Sequence, residues 1–476
     1  MTTKNLYLPG NPRYQPKVLQ DVFGYDNLYN AHIRVELAVL ETLCEIGTVP
    51  KEEAELLTDE VKQKVIDNIT TSDVDKLERE VTKHDIRALV NLIKEQLPEP
   101  LQRWVHVPLT SNDVINSAQA LQFTSAHIAM NKEIKKLVAV LTNVTKEHAG
   151  TLQVGRTHGQ HALPITAGFW LATILNRVVQ NARSMDYFAA HLHGKISGAV
   201  GSYNAQVALG IAEKGGNRVF EELVLAKLGV NPAPISTQIA PPEPLAQYLF
   251  SASLLSATLA QFGRDARHLM RSEIGELSEE FAKGQVGSST MAHKRNPISF
   301  ENLEGMWLKN KNEFGKMVDT LISEHQRDLV GSSVVRDYPT VLINLAQQVG
   351  TLLREKDGKS FLERIKFDEE NMRKNLEQNA SAMMAEPMYL SLQVAGYRGD
   401  AHELVNHGAM PIMAEKGCSL IDAVREIAES DKEVGEALAN IPKETMQILD
   451  NPETYTGLAK EKALQVVNDA EKYLNG

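Results

Sequence analysis

The sequence predicts an all-α protein on three observations: where its prolines lie, how its apolar residues are spaced, and how little strand-like alternation it has. Proline disrupts a helix interior because it lacks an N–H group and clashes with the preceding turn. Four long intervals contain no proline: 109–163, 165–231, 245–296 and 298–338. Alternation of apolar and polar residues is scarce outside the segment from Ile196 to Val207. Long helices are therefore favoured over strands.

The first proline-free interval has the apolar spacing of one helix face. Residues spaced mainly three or four apart carry it: Ile134, Leu137, Val138, Leu141 and Val144. A helix over 112–149 would be about 55 Å long, and Asn112 or Asp113 would cap its start. Similar patterns occupy 165–190, 245–283, 298–325 and 339–356. We expect a bundle of about five long helices that associates with other subunits to cover its apolar stripes.

The rest of the chain predicts shorter helices on either side of this bundle. Val49-Pro50 and the prolines near residue 98 interrupt the N-terminal part, and the part after residue 365 is also helical in pattern. We therefore expect three helical domains, comprising residues 1–111, 112–364 and 365–476. The middle one would be the long-helix bundle.

Composition excludes several classes of function. The net charge of −11 argues against a broad nucleic-acid surface, which needs clustered Lys and Arg. No run of about eighteen apolar residues and no signal peptide is present, so we expect a cytoplasmic protein that binds no membrane. Cys44 and Cys418 form neither a disulfide framework nor a CxxC motif. His158 with His161 lacks a third ligand in an ordered zinc pattern, so we expect no metal.

The segment 287–297, GSSTMAHKRNP, has the richest chemistry in the chain. Two adjacent serines, two cations and an amide lie in it, and Glu301 follows. Gly284 and Gly287 allow the backbone to approach a ligand closely, and Pro297 suits a helix start. Helix-start N–H groups, together with Lys294 and its neighbour Arg295, would attract an anion. We interpret the segment as a lid that binds a carboxylate.

Other polar clusters carry weaker signals, each with a plain structural alternative. Residues 155–161, GRTHGQH, predict an exposed turn that presents His158 for proton transfer, or simply a connecting loop with a surface histidine. Residues 325–336 combine arginines with serine hydroxyls, as phosphate recognition requires, but a solvated loop has the same composition. The hydroxyl pair Thr110-Ser111 precedes the longest helix, where an ordinary cap is the alternative.

Taken together, these clusters resemble the fumarase/aspartase superfamily. Its lid motif is GSSxMPxKxNP followed by a glutamate, and this chain has GSSTMAHKRNPISFE. Four further segments resemble the branch of the superfamily that acts on succinylated purine nucleotides: GRTHGQHALP at 155–164, GKISGAVGSYNA at 194–205, PISTQ at 234–238 and RDLVGSSVVR at 327–336. The resemblance covers nearly the whole chain and weakens after about residue 365.

The resemblance implies a β-elimination that cleaves a C–N bond and releases fumarate, without a cofactor. The expected substrates are a succinylated adenine nucleotide, giving AMP, and the succinyl-carboxamide imidazole ribonucleotide of purine synthesis. Ser288 would be the general base and His158 the general acid, with Glu301 orienting His158. Lys294 and Asn296 would hold the carboxylates of fumarate, because charge develops on a carboxylate as the proton leaves.

The resemblance also implies a set of substrate-binding residues and a homotetramer whose subunits share active sites. Besides Asn296, the set comprises Arg13, Tyr14, Lys83, His84, Asp85, Thr110, Ser111, Gln238, Ser289, Met291, Asn302, Arg327, Ser332, Ser333 and Arg336. Arg327, Ser332 and Arg336 would bind the nucleotide with Arg13 and Tyr14. Gln238 and the Thr110-Ser111 pair would lie near the succinyl group.

Three positions depart from the family pattern. Ala292 replaces a proline of the lid, Lys83 stands where an arginine is common, and Leu163 stands where many relatives have a polar residue. Two other interpretations remain open. Another lyase of the superfamily, such as argininosuccinate lyase or a carboxymuconate cycloisomerase, shares the lid motif. A structural protein could keep the fold without the activity.

Overall fold

A computed structural model describes residues 15–214, 219–280 and 294–476 of the chain, and most of them are helical. Its helices of eight or more residues are α1 (Asn30–Glu45), α2 (Asp59–Asn68), α3 (Asp85–Gln96), α4 (Ser111–Glu147), α5 (Ala167–Ala189), α6 (Phe220–Leu228), α7 (Glu243–Leu269), α8 (Ile298–Asp319), α9 (Pro339–Leu352), α10 (Glu369–Glu377), α11 (Ala385–Val394), α12 (Leu420–Ser430), α13 (Lys432–Asn440), α14 (Lys443–Asp450) and α15 (Ala459–Asn475). The all-α prediction is confirmed.

Each of the five segments predicted to be a long helix contains one, namely α4, α5, α7, α8 and α9. The longest, α4, has 37 residues. Its start differs from the expected cap, because Asp113 lies within the first turn and its Oδ2 accepts from the backbone N–H of Thr110 at 2.8 Å. A carboxylate at this position satisfies an N–H group just ahead of the helix, as in a capping box.

Three small two-stranded sheets occur within the described residues. Strands β1 (Leu152–Thr157) and β2 (Gln160–Thr166) pair antiparallel, β3 (His193–Gly194) and β4 (Asn231–Pro232) pair parallel, and β5 (Leu277–Ser278) and β6 (Lys366–Phe367) pair antiparallel.

The segment from Ile196 to Val207, where the sequence alternates, contains no strand. The backbone N–H of Ile196 donates to Glu221 Oε2 at 2.6 Å, and the next two N–H groups donate to Asp113 Oδ1 at 3.1 Å each. Buried carboxylates therefore occupy the donors that a partner strand would need.

The described residues form two compact units, each assembled from separate stretches of the chain. The first unit contains those up to Lys136 together with those of Gln180–Ala260 and Asn302–Leu352; the second contains those of Leu137–Val179, Gln261–Glu301 and Leu353–Gly476. The division into three domains at residues 111 and 364 stays a prediction. No helix among the described residues is long and apolar enough to cross a membrane.

In the first unit, polar side chains connect the long helices. Asn131 of α4 donates to Asp186 of α5 at 2.7 Å, and Asn181 of α5 donates to Thr258 of α7 at 3.1 Å. The buried Gln348 of α9 donates to backbone carbonyls of α7 and α8, at 3.1 and 2.7 Å. These bonds fix how the helices pack around an otherwise apolar core.

In the second unit, the C-terminal helices pack around their own apolar core. Met388, Leu392, Val405 and Val424 are fully buried in it, and Val154 of β1 belongs to the same cluster. The hairpin of β1 and β2 is therefore anchored in this core.

Candidate functional site

His158 lies at the tip of the β1–β2 hairpin in the second unit. Thr157 pairs with Gln160, so His158 and Gly159 form a two-residue turn, and both have positive φ angles of 53° and 77°. Two-residue hairpins favour turns with left-handed backbone at both positions. His158 is exposed in the chain. The prediction of an exposed turn that presents an imidazole is confirmed, although the flanking segments are strands rather than helix ends.

Several predicted site residues lie outside the described residues. They are Arg13 and Tyr14 near the N-terminus and Ser288, Ser289 and Met291 of the lid segment. The next described residue is Lys294, four residues before α8 begins at Ile298. Lys294, Glu301 and Asn302 are exposed, and Asn296 is half-buried.

The start of α8 binds a carboxylate, but this carboxylate belongs to the protein. Glu279 Oε1 accepts from the backbone N–H groups of Ser299 and Phe300, at 2.8 and 3.1 Å. Burial raises the pKa of Glu279 even though these hydrogen bonds oppose the shift. The prediction that the helix-start N–H groups attract an external anion is wrong for these two groups, because Glu279 already occupies them.

The residues just before α8 line a basic cavity of about 660 Å³ in the second unit. Lys294, Arg295 and Asn296 line it together with Arg267, in the last turn of α7, and Arg271, just after that helix. Asp368 contributes one carboxylate. Four cations around one such space favour the binding of an anion, since each of them lowers the energy of a negative charge placed there.

In the first unit, the start of α4 is built around a buried ion pair. Asp113 and Lys195 both have side-chain exposures of 0 %, and their Oδ1 and Nζ atoms lie 2.6 Å apart. Lys195 Nζ also donates to the Gly198 carbonyl at 2.8 Å. Because Asp113 binds both the Thr110 N–H and the segment around Gly198, it joins a predicted substrate-binding residue to one of the segments that carry the family resemblance. A pair removed from water needs such additional hydrogen bonds to offset its desolvation.

A polar network continues from this pair through the first unit. Ser197 Oγ lies 2.6 Å from Ser236 Oγ, and the nearby Gln238 Oε1 accepts from Asn112 at 3.4 Å. The Gln238 N–H donates to the Gln326 carbonyl at 3.3 Å.

The residue after Gln326 connects this network to the loop that ends at Arg336. Arg327 donates from Nη2 to Ser332 Oγ at 3.3 Å, while Ser333 beside it is exposed. Hydrogen bonds and adjacent positions in the chain thus link Thr110, Gln238, Arg327 and Ser332. These residues are far apart in the sequence.

Further candidates of the first unit are Lys83, His84 and Asp85 at the start of α3, and Arg336. His84 is the N-cap of α3, where its ring accepts from the Arg87 N–H at 3.4 Å, and Lys83 before it has a φ of 54°. Burial raises the pKa of the Tyr29 hydroxyl, and the negative charge of Asp85 raises it further, while Arg336 opposes the shift. Asp85 and Arg336 therefore act electrostatically on the same hydroxyl.

Within the second unit, His158 and Glu301 are not joined. Both side chains are exposed, and no hydrogen bond or ion pair between them exists in the described part of the chain. Sequence reasoning also missed Asp113, Glu279 and Lys195 as organising groups. The available signal was Lys195 itself, a charged residue between Gly194 and Ile196 in a segment otherwise of small and apolar residues. Its acidic partner is 82 positions away.

Comparison with known proteins places this architecture in a class. The sequence profile of the lyase family matches residues 17–309. The fold is shared with 3-carboxy-cis,cis-muconate lactonizing enzyme from Pseudomonas putida, whose crystal structure matches with a TM-score of 0.79 and 21 % identity over 97 % of this chain and 98 % of that one. The chain therefore belongs to the lyase family of the fumarase/aspartase superfamily.

Within that class, the chain is similar over its full length to adenylosuccinate lyases. The adenylosuccinate lyase of Pyrococcus horikoshii is 32 % identical over 472 residues, which cover 98 % of each protein. The adenylosuccinate lyase of Archaeoglobus fulgidus is 33 % identical over 96 % of this chain and 97 % of its own length.

Proposed function

We propose that this chain is a C–N lyase that releases fumarate from adenylosuccinate, giving AMP, and from the succinyl-carboxamide imidazole ribonucleotide of purine synthesis. The observation that carries the proposal is the identity of 32 % over 98 % of the chain with an adenylosuccinate lyase. The basic cavity and the polar network support it, since the substrate carries carboxylates and a phosphate.

In the proposed reaction, Ser288 accepts a proton from the carbon next to a carboxylate. The electron pair left behind forms the carbon–carbon double bond of fumarate, and the C–N bond breaks. His158 donates a proton to the departing nitrogen, for which an imidazole is suited near neutral pH. Lys294 and Asn296 hold the carboxylate on which negative charge develops, and Glu301 orients His158. Ser289, Met291 and Asn302 are assigned to substrate binding.

The nucleotide end of the substrate is assigned to the first unit. Arg327, Ser332, Ser333 and Arg336 would bind the phosphate and ribose with Arg13 and Tyr14, because guanidinium groups bind phosphate through paired hydrogen bonds. Lys83, His84 and Asp85 would line the same pocket, and Thr110, Ser111 and Gln238 would lie near the succinyl group. Under this proposal, the described residues that bind the nucleotide belong to the first unit, whereas His158 belongs to the second.

We further propose that the protein is a homotetramer whose subunits complete each other's sites. Several long helices expose large apolar side chains, including Ile128 of α4, Phe250 of α7 and Leu308 of α8. Covering such side chains is favourable. His158 and Glu301 are exposed in the single chain, which leaves both accessible to a neighbouring copy.

Fumarate release from purified protein tests the function. We expect release from adenylosuccinate and none from argininosuccinate, measured by the ultraviolet absorbance change of each elimination. Release from argininosuccinate alone would keep the chemistry and reject the nucleotide substrate. No fumarate release from either substrate would reject the proposed function altogether.

A further inference from the structure

Glu276 is a fully buried carboxylate in the second unit with three side-chain donors. Its Oε1 accepts from Arg156 Nη2 at 2.6 Å and from Asn375 Nδ2 at 2.9 Å, and its Oε2 accepts from Gln153 Nε2 at 2.9 Å. The exposure of its side chain is 0 %. A buried charge is tolerated only when it is paired and hydrogen-bonded, so this arrangement requires all its partners.

Two of these donors lie on strand β1 of the hairpin that carries His158. Residues three apart on a regular strand point to opposite faces of a sheet. Here the register shifts between Val154 and Arg156, and such a bulge lets Gln153 and Arg156 reach the same carboxylate.

Gly155 is the residue that permits this bulge. A Cβ atom there would lie 2.9 Å from the Leu163 carbonyl oxygen, which is closer than real Cβ atoms come. The glycine therefore allows the two strands to approach at the irregular position. The bulge at this point brings the side chains of Gln153 and Arg156 to Glu276.

The contact with Glu276 is close to the tip of the hairpin. Arg156 is separated from His158 by Thr157 alone, and it pairs across the hairpin with His161. The side-chain amide of Asn379 donates to His161 Nδ1 at 3.1 Å. Arg156 and His161 form the second-to-last residue pair before the turn. Glu276 holds this pair through Arg156, and Asn379 holds it through His161.

We propose that Glu276 is a positioning residue for His158, acting through Arg156 and Gln153. The inference rests on the proposed function, in which His158 donates a proton to the departing nitrogen. The side chain of Glu276 touches other side chains of its own unit and acts on the reaction only by fixing the direction in which the hairpin points.

Proton transfer depends strongly on the distance and angle between donor and acceptor. A misplacement of about 1 Å can lower a rate about 10²-fold. Glu276→Gln keeps the size of the side chain but removes the charge and puts an amide NH₂ where one donor is now bound. We therefore expect kcat to fall about 10-fold to 100-fold with KM within about 3-fold of its value, because binding of the nucleotide is assigned elsewhere.

Asp265→Asn is the matched control in the same unit. The Asp265 carboxylate accepts from Trp170 Nε1 at 3.1 Å and from Gln261 Nε2 at 2.7 Å, and neither donor belongs to the hairpin. Like Glu276→Gln, this substitution neutralises a carboxylate that accepts hydrogen bonds from neutral side chains. We expect it to leave kcat and KM within about 2-fold of wild type, as for a substitution outside the reacting groups.

The experiment combines steady-state fumarate release with hydrogen–deuterium exchange of residues 152–166. We expect Glu276→Gln to lower kcat, preserve KM and speed exchange across the hairpin about tenfold, while Asp265→Asn does neither. An unchanged kcat, or a loss that Asp265→Asn reproduces in proportion to lost stability, would overturn the proposal. Unaltered exchange in the hairpin would overturn it as well.

A second variant keeps the test decisive if Glu276→Gln does not fold. Asn379 is exposed, so Asn379→Ala removes the other hold on the hairpin at little risk to folding. We expect kcat to fall about 3-fold to 10-fold at constant KM. A wild-type kcat in this variant would reject the positioning role.

His158→Ala separates failure of this inference from failure of the proposed function. If His158→Ala is inactive while Glu276→Gln is fully active, only the positioning role fails. If His158→Ala retains wild-type turnover, the proposed function fails and the positioning role fails with it, whatever the exchange data show.

Discussion

Each of the two units contains a carboxylate with 0 % side-chain exposure that is paired with a cation, but the two carboxylates accept hydrogen bonds from different kinds of donor. Asp113 in the first unit binds Lys195 and three backbone N–H groups, so it shapes the main chain at the start of α4. Among the described residues, the side chain of Glu276 in the second unit accepts from three side chains, two of them on one hairpin. A carboxylate bonded to backbone organises a binding surface, whereas one bonded to side chains sets the direction of a projecting element.

This difference corresponds to the division of labour in the proposed function. The first unit contains the network of Thr110, Gln238, Arg327 and Ser332, which is assigned to substrate binding. The second contains His158 and the basic cavity, which are assigned to the elimination. Damage to the first unit should therefore raise KM, and damage to the second should lower kcat. The following predictions test this comparison.

The largest effect is expected from His158→Ala. Loss of a general acid lowers turnover by about 10² to 10⁴, and KM should change little because the nucleotide contacts lie elsewhere. Fumarate release under saturating substrate measures this. His407→Ala is the control, since His407 is also an exposed histidine of the second unit, 3.8 Å from Glu403. Near-normal turnover in His158→Ala would remove the catalytic role from the second unit.

Asp113→Asn should have the next largest effect, on stability. The substitution leaves Lys195 buried without its charge partner, which typically costs about 3 to 5 kcal/mol. Urea denaturation measures the loss. Asp59→Asn is the control, since that carboxylate is exposed and lies 2.8 Å from Lys62.

The double variant Asp113→Asn with Lys195→Met sharpens the same prediction. Replacing both charges removes the unpaired cation, so we expect most of the stability to return. KM should nevertheless be higher than in wild type, because methionine cannot donate a hydrogen bond to the Gly198 carbonyl as Lys195 does. A normal KM in a stable double variant would show that the pair only stabilises the fold.

Arg336→Ala should raise KM by about 10-fold and lower kcat less, since a contact remote from the reacting atoms acts on the bound substrate and the transition state alike. Arg103→Ala is the control, because Arg103 is exposed and paired with Glu53 in the same unit. Initial rates over a range of adenylosuccinate concentrations separate the two constants. A drop in kcat at constant KM would place Arg336 with the second unit's chemistry.

Glu279→Gln should have the smallest effect, since Glu279 accepts from backbone N–H groups without a cation within salt-bridge distance in the described residues. Burial raises its pKa, so the folded protein holds this proton more tightly than the unfolded chain does. Its contribution to stability is therefore fully present at low pH and is lost as pH rises through the folded pKa.

Glutamine is neutral throughout, so Glu279→Gln should change the free energy of unfolding by less than about 1 kcal/mol at neutral pH. Relative to wild type, the variant should gain stability between acid and neutral pH. Urea denaturation at several pH values measures this difference. A large loss at neutral pH would show that Glu279 resembles Asp113 and Glu276 after all.

Local patterns accounted for much of the fold and for the polar segments. The five long helices follow from the proline-free intervals and the apolar spacing, because both properties act between residues a few positions apart. The exposed turn at His158 follows from its flanking glycines. The strands beside it were not predicted, since β1 and β2 are short and one of them contains Gly155 and a bulge.

The sequence by itself determined the helical architecture and, through its motifs, the resemblance to a family of lyases. Only the tertiary structure decided that Glu279 already fills the start of α8, that Asp113 pairs with Lys195, and that Glu276 holds the hairpin of His158. The reason is physical. A hydrogen bond between residues 82 or 120 positions apart depends on how helices pack, and packing is a property of the whole chain rather than of any local pattern.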